Sequence, residues 1–246
     1  MINKTCAVVI PIYKSSLSDD EFFSVKTSII NLHGHNIYWL APNNLDINYY
    51  VNNFNIINIE RFDNMYFKNI KGYNQLLLSR EFYLRFNIYD FLLICQTDAI
   101  VLKPELNYWL TQPYDYIGAP WPKGYSFPIN TFKISQLNNI LCTSFVGNGG
   151  LSLRRIKSIL DLLNEFSDVA KNWHDNGHAE DLYYAFMSTL SCNFKTPNLM
   201  ISACFSHDID PVYLYKLIGC KTPFGGHAWA KYDREHWKKM PEWPSY

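Results

Sequence analysis

Short apolar runs and stretches of helical spacing alternate along the first hundred residues. The segments 6–10, 36–40, 56–59 and 91–95 are apolar or β-branched, bounded by turn residues, and predict four strands. Between the first two, Phe22, Phe23, Val25 and Ile29 recur at roughly helical spacing and predict a helix over 19–32. Before the fourth, Leu77, Leu78, Phe82 and Phe86 share one face of a helix predicted over 74–86. Helical periodicity returns at 156–166 and at 180–190, where Glu180 and Asp181 fall in the first turn and suit the helix dipole.

Strands alternating with helices predict an α/β fold: a mainly parallel, mixed sheet flanked by helices, in one domain over 1–246. In such sheets ligands bind beyond the carboxyl ends of the strands, which places 11–14 and 96–99 on one rim. The segment 113–128 carries Pro113, Gly118, Pro120, Pro122, Gly124 and Pro128 and reads as a long loop. Its Tyr114, Tyr116, Trp121, Tyr125 and Phe127 argue that this loop is ordered over the site.

Charge narrows the function classes. Lysine plus arginine and aspartate plus glutamate both total 22, so no global field gathers nucleic acid or anionic lipid. The first 13 residues are too short in apolar run for a signal peptide, and no run approaches the about 18 apolar residues of a membrane span. The expectation is a cytoplasmic protein. Six cysteines without a CxxC pair, several inside apolar stretches, are expected to be buried free thiols.

Four segments carry candidate chemistry. In Gln96-Thr-Asp98-Ala, a carboxylate follows a buried apolar strand, where it needs a partner or a cation; it could equally cap the following turn. In Val146-Gly-Asn-Gly-Gly-Leu-Ser-Leu153, followed by Arg154 and Arg155, three glycines in four residues let a backbone approach a ligand, or form a tight turn or bulge. The spacing is neither a dinucleotide fingerprint nor a P-loop. Glu180 and Asp181 open a helix, and only one can face a site because neighbours lie about 100° apart; a carboxylate there could take a proton from an acceptor hydroxyl, or simply serve the helix dipole. His227, in Pro223-Phe-Gly-Gly-His-Ala-Trp229, could ligate a metal, bind a diphosphate or be a structural residue.

Taken together, several motifs resemble a family of bacterial glycosyltransferase-like proteins of the type-A (GT-A) fold, until recently grouped only as a domain of unknown function. They are Tyr73-Asn74 with Leu76-Leu-Leu-Ser79 and Phe82-Tyr83, Gln96-x-Asp98-Ala, Tyr114-Asp-Tyr-Ile-Gly-Ala-Pro-Trp121, Gly147-Asn-Gly-Gly with Ser152-Leu-Arg154, Glu180-Asp181, and Pro223-Phe-Gly with His227-Ala-Trp229. Their number and order, from about Val8 to Trp229, make the resemblance specific. It implies a nucleotide-binding half over about 1–110 and an acceptor and catalytic half over about 111–246.

The resemblance also implies roles. Pro11, Tyr13, Asn74, Gln96, Asp98, Gly149, Gly150 and Arg154 would contact the donor nucleotide-sugar, and Trp121 would offer an acceptor platform. Asp98 and His227 would hold a divalent metal, Mn²⁺ or Mg²⁺. The fold's Asp-x-Asp is reduced here to the single carboxylate of Asp98. Asp181, beside Glu180, would be the base of an inverting transfer to a glycan or lipid-linked acceptor, in bacterial surface polysaccharide or lipopolysaccharide synthesis. A lipid-linked acceptor would bring the protein to the inner face of the membrane. The alternatives are a retaining transferase on the same fold, in which Asp181 is structural, and a non-catalytic nucleotide- or glycan-binding module.

Overall fold

The computed structural model describes residues 4–128 and 141–245. In chain order the elements are β1 (Cys6–Pro11), α1 (Asp19–Asn31), β2 (Asn36–Pro42), α2 (Asn48–Phe54), β3 (Ile59–Phe62), α3 (Ile70–Leu77), α4 (Arg80–Arg85), β4 (Phe91–Cys95), β5 (Ala99–Val101) and α5 (Leu106–Thr111). There follow β6 (Tyr116–Pro128), β7 (Leu141–Arg155), α6 (Ile156–Glu165), α7 (Ser167–Asn176), α8 (Glu180–Leu190), α9 (Leu199–Phe205), β8 (Ser206–His207), α10 (Pro211–Leu217), β9 (Gly225–His227) and α11 (Arg234–Trp237).

The main sheet runs β3-β2-β1-β4-β7-β6; its first four strands are parallel, and β7 and β6 are antiparallel to their neighbours. Every residue of β1 and β4 is buried, as expected for parallel strands covered on both faces. One face packs with Leu77, Phe82, Tyr183 and Phe186, and the other with Val25, Trp39, Leu106 and Phe205. A second, three-stranded sheet of order β5-β9-β8 sits beyond the end of β4.

The predicted α/β class, single domain and mainly parallel sheet are all present. Three local expectations need correcting. Residues 113–128 do not form a loop: from Tyr116 they are the edge strand β6, paired with β7 as far as Pro128. The prolines are tolerated because an edge strand has one side without ladder partners, and register shifts accompany Ala119, Pro120 and the positive φ of Gly124. The helix predicted over 74–86 is two, α3 and α4, divided at Ser79, whose hydroxyl accepts from the Phe82 amide at 3.2 Å and starts a new helix. The third strand begins at Ile59 rather than Ile56, Ile57 being exposed.

The cysteines divide evenly. Cys6, Cys95 and Cys142 are buried, whereas Cys192, Cys204 and Cys220 are exposed, so the expectation of buried thiols fails for half of them; all six are free.

Candidate active site at the strand ends

Strand order reverses between β1 and β4, and a crevice opens beyond their carboxyl ends. It is a cavity of about 460 Å³ whose lining includes Pro11, Tyr13 and Lys14 after β1, and Gln96, Thr97 and Asp98 after β4. Phe67, Lys68, Asn69, Ile70 and Tyr73 close it from the side of α3. The capping box of α1 reaches into the same place: Glu21 accepts from Ser18 N at 3.0 Å, Lys14 Nζ at 2.9 Å and Thr97 Oγ1 at 2.9 Å. One carboxylate therefore ties a helix start to both strand ends. The lysines, the exposed Tyr13 ring and the apolar rim of Phe67 and Ile70 offer cations and a stacking surface to one ligand.

Asp98 stands at the inner edge of the crevice, its side chain half exposed. His227 Nε2 lies 3.3 Å from its Oδ1. The imidazole arrives from β9, which pairs antiparallel with β5, Ala99 opposite His227. Burial works against a charge on His227, but the facing carboxylates of Asp208 and Asp98 outweigh it and raise its pKa to about 10. Burial also pushes Asp98 upward, yet the His227 partner holds its carboxyl below the usual range. Ala228, next in the chain, takes a left-handed φ of 51°, and its amide donates to the Asp98 carbonyl at 3.0 Å. Strain of this kind persists where surrounding structure over-determines it.

The Gly147-Asn-Gly-Gly segment lies inside β7 and faces protein on both sides. A Cβ on Gly150 would collide with the His227 ring, and one on Gly149 would lie 2.8 Å from Glu180 Oε1. At Gly147 the Trp121 ring occupies the equivalent space. The glycines thus let imidazole, carboxylate and indole pack against one stretch of backbone. Gly150 also connects to the crevice, its carbonyl accepting from the Gln96 amide at 2.9 Å.

Glu180 and Asp181 separate as the helical geometry requires. Glu180 is buried and accepts from Arg154 Nη2 at 2.7 Å. Arg154 is fully enclosed, donating also to Tyr83 Oη at 2.9 Å and Ser152 Oγ at 3.0 Å, with its guanidinium carbon 5.3 and 5.4 Å from the centroids of the mutually stacked Tyr116 and Tyr184 rings. Asp181 is only partly covered. Burial and then the neighbouring Glu180 charge raise its pKa to about 7, against the opposing influence of the Leu182 and Gly149 amides.

The structure thus brings together Pro11, Tyr13, Gln96 and Asp98 in the crevice, His227 beside Asp98, and Gly149, Gly150 and Asp181 along β7 and α8. One expected donor contact needs correction. Arg154 has no exposed surface and is fully engaged with Glu180, Tyr83 and Ser152, so it cannot meet a phosphate where it stands. Asn74, partly exposed beside Tyr73, donates through Nδ2 to the Gly177 carbonyl at 3.5 Å and ties α3 to the end of α7. Glu180 is likewise withdrawn into the Arg154 pair, leaving Asp181 as the carboxylate of the two that faces outward. Trp121 packs over Gly147 and beside Tyr125, ring centroids 5.6 Å apart.

Two residues were missed. Asp208, buried behind His227, follows β8 in Ser206-His-Asp-Ile-Asp210, where a carboxylate before Pro211 reads as a helix cap; Asp210 is that cap. Lys231, in the turn after β9, is exposed, and its pKa is raised first by the neighbouring Tyr232 hydroxyl and then by the Asp208 and Asp98 charges. Its signal was its place four residues after His227 in a Gly-rich aromatic turn.

A family model described as a protein of unknown function, DUF5672, matches residues 56–227, more than two thirds of the chain and the span from β3 to β9 that carries Asp98, Asp181 and His227. The chain belongs to the DUF5672 family. No curated protein sequence matches it. Among solved structures, the apo structure of WbbM, titled a bifunctional glycosyltransferase, is similar over 92% of this chain at 11% identity and a TM-score of 0.55. This DUF5672 chain covers 46% of that protein, less than half its length. LgtC, titled a galactosyltransferase in complex with donor and acceptor sugar analogues, is similar over 90% of this chain and 86% of its own, at 12% identity and a TM-score of 0.49. The likeness to WbbM establishes the GT-A fold for this DUF5672 member.

Proposed function

We propose that this protein is a glycosyltransferase that takes a nucleotide-sugar into the β1–β4 crevice and passes the sugar to a glycan or lipid-linked acceptor with inversion. One observation carries the reading: in a GT-A fold, the crevice meets the Asp98–His227 pair at its inner edge, and the Gly149-Gly150 backbone links that pair to Asp181. A phosphate-sized anion is met by Lys14 and Lys68 on the crevice wall. The donor sugar then lies toward β7, between the two carboxylates.

The bond changes follow from that placement. The acceptor hydroxyl oxygen attacks the anomeric carbon, its proton passes to the Asp181 carboxylate, and the carbon–oxygen bond to the diphosphate breaks with its electron pair kept by the leaving oxygen. A base with a pKa near 7 is partly ionised at neutral pH and still basic enough to accept that proton. Lysines and the Gly149-Gly150 dipoles stabilise charge that grows on the leaving group.

The residues present fit a divalent cation, Mn²⁺ or Mg²⁺, held in part by the donor. Among the described residues no three His, Cys, Asp or Glu side chains form a closed cage. Asp98 Oδ1 and His227 Nε2, 3.3 Å apart on the crevice edge, supply two ligands and leave the remaining positions to phosphate oxygens and water. Bound there, the cation would act as a Lewis acid on the diphosphate. The acceptor belongs to the surface polysaccharide or lipopolysaccharide class, with Trp121 on the acceptor side. Among the described residues no helix is long and apolar enough to cross a membrane, so a lipid-linked acceptor would be met at the membrane surface.

The test is a panel of nucleotide-sugars with purified protein, scored for nucleoside diphosphate release with Mn²⁺, with Mg²⁺ and with EDTA. Release that Asp181→Asn abolishes, with an inverted product anomer, is the expected result. A retained anomer would make Asp181 structural. Nucleotide binding without release, across donors and acceptors, would replace the enzyme with a binding module, which the single carboxylate at Asp98 favours as the rival reading.

A further inference from the structure

We infer that Asp208 is a positioning residue for His227, keeping the proton on its Nδ1 so that Nε2 is the nitrogen that gives up its proton to a cation beside Asp98. The inference rests on the cation reading above. His227 sits between two carboxylates on opposite ring edges: Nε2 is 3.3 Å from Asp98 Oδ1, and Nδ1 is 3.7 Å from Asp208 Oδ1. The two ends differ in surroundings. The Asp98 side chain is 50% exposed on the crevice edge, whereas that of Asp208 is 5% exposed.

Asp208 is itself held. Asn148 Nδ2 donates to its Oδ2, and Asn148 Oδ1 accepts from the Gly150 amide at 3.1 Å. The glycine that makes room for the ring and the asparagine that anchors the carboxylate behind it are therefore two residues apart on β7. At 3.7 Å Asp208 Oδ1 and His227 Nδ1 face each other beyond hydrogen-bond distance, and neither has a hydrogen-bond partner elsewhere. A buried carboxylate oxygen without a donor is costly, and the Nδ1–H of His227 is the donor that faces it. With the proton kept on Nδ1, Nε2 is the nitrogen freed when a cation displaces its proton, the arrangement in which a second carboxylate orients a ligating histidine and raises its basicity.

Asp208→Asn tests this because it reverses the polarity while keeping the shape. With its amide oxygen turned to Asn148, its NH₂ faces Nδ1, which must then accept, and the proton moves to Nε2 where a cation would bind. The measurement is Mn²⁺ titration of the full chain at a fixed concentration of nucleoside diphosphate, followed by the loss of the free-ion electron paramagnetic resonance signal beyond that of a protein-free blank, with a thermal melt on each variant. Asp208→Asn is expected to weaken Mn²⁺ binding by about 10- to 100-fold with little change in the melt. Asn148→Ser, which frees Asp208 Oδ2 without touching the imidazole, is expected to weaken it less and guards against a misfolded first variant. Wild-type Mn²⁺ affinity in a folded Asp208→Asn overturns the positioning role. No Mn²⁺ binding by the wild-type protein, or binding that Asp98→Asn and His227→Ala leave intact, overturns the cation reading beneath it.

Discussion

Two charge pairs flank the same four residues of β7, and they behave in opposite ways. Arg154 and Glu180 meet at 2.7 Å with the guanidinium fully enclosed, and aromatic hydroxyls and rings complete the shell. His227 and Asp98 stand 3.3 Å apart at the edge of an open crevice. Gly149 makes room for the first pair and Gly150 for the second. A closed pair has its electrostatics satisfied within the protein, and its loss is felt as stability. An open pair keeps unused coordination for a ligand, and its loss is felt as function.

The largest effect should fall on Asp181, next to the closed pair but facing outward. Asp181→Asn is expected to lower turnover by roughly 10²- to 10⁴-fold, read as nucleoside diphosphate release at saturating donor. Stability should move the other way. Asp181 has a folded pKa of about 7 against an ordinary 3.8, so its contribution is fully present below pH 3.8 and is lost as pH rises through about 7. The Asn variant escapes that loss, and its melting temperature should exceed that of the wild type at pH 8. In the wild type, turnover should rise with pH along a limb centred near 7, as the base ionises. A flat profile from pH 5 to 9 with chemistry rate-limiting would remove Asp181 from the mechanism.

Next come the pairs themselves. Arg154→Met leaves the Glu180 carboxylate buried without its cation, a change that costs about 3–5 kcal/mol, measurable as a lower urea midpoint. Adding Glu180→Leu should recover much of that loss, since a well-packed apolar pair can replace a buried ion pair. His227→Ala leaves the buried Asp208 oxygen without the donor that faces it and should also lower the midpoint, but unlike Arg154→Met it should abolish any cation stimulation of donor release. Gly150→Ala is expected to resemble His227→Ala, because the added Cβ takes the space of the imidazole. If Gly150→Ala instead resembled Arg154→Met, the two pairs would not be separable.

The legible and illegible parts of the sequence divide along a physical line. β1, β4 and α8 were readable because their patterns are local: continuous apolar runs for strands buried on both faces, and an acidic first turn for the helix. Asp98 followed from its place after such a run. The strand β6 is not legible in 113–128 because proline and glycine are loop signals, and an edge strand tolerates both. Arg154 was misassigned because a charge beside glycines resembles a phosphate ligand until its burial is known. Asp208 stayed hidden because its partner Asn148 is 60 residues away, and a long-range contact leaves no periodicity.

The smallest expected effect asks how far the site extends into α1. Ser18 caps the helix and Glu21 completes the box, but Glu21 alone also binds Lys14 and Thr97 at the crevice. Ser18→Ala should therefore cost about 1 kcal/mol of stability, a shift of a few degrees in the melt, and leave donor binding unchanged. Glu21→Ala removes the same capping partner and also frees Lys14, so its excess over Ser18→Ala in donor affinity isolates what Glu21 does in the crevice. Equal effects of the two variants on donor affinity would mean that the crevice responds to the rigidity of the α1 start rather than to the Glu21 carboxylate.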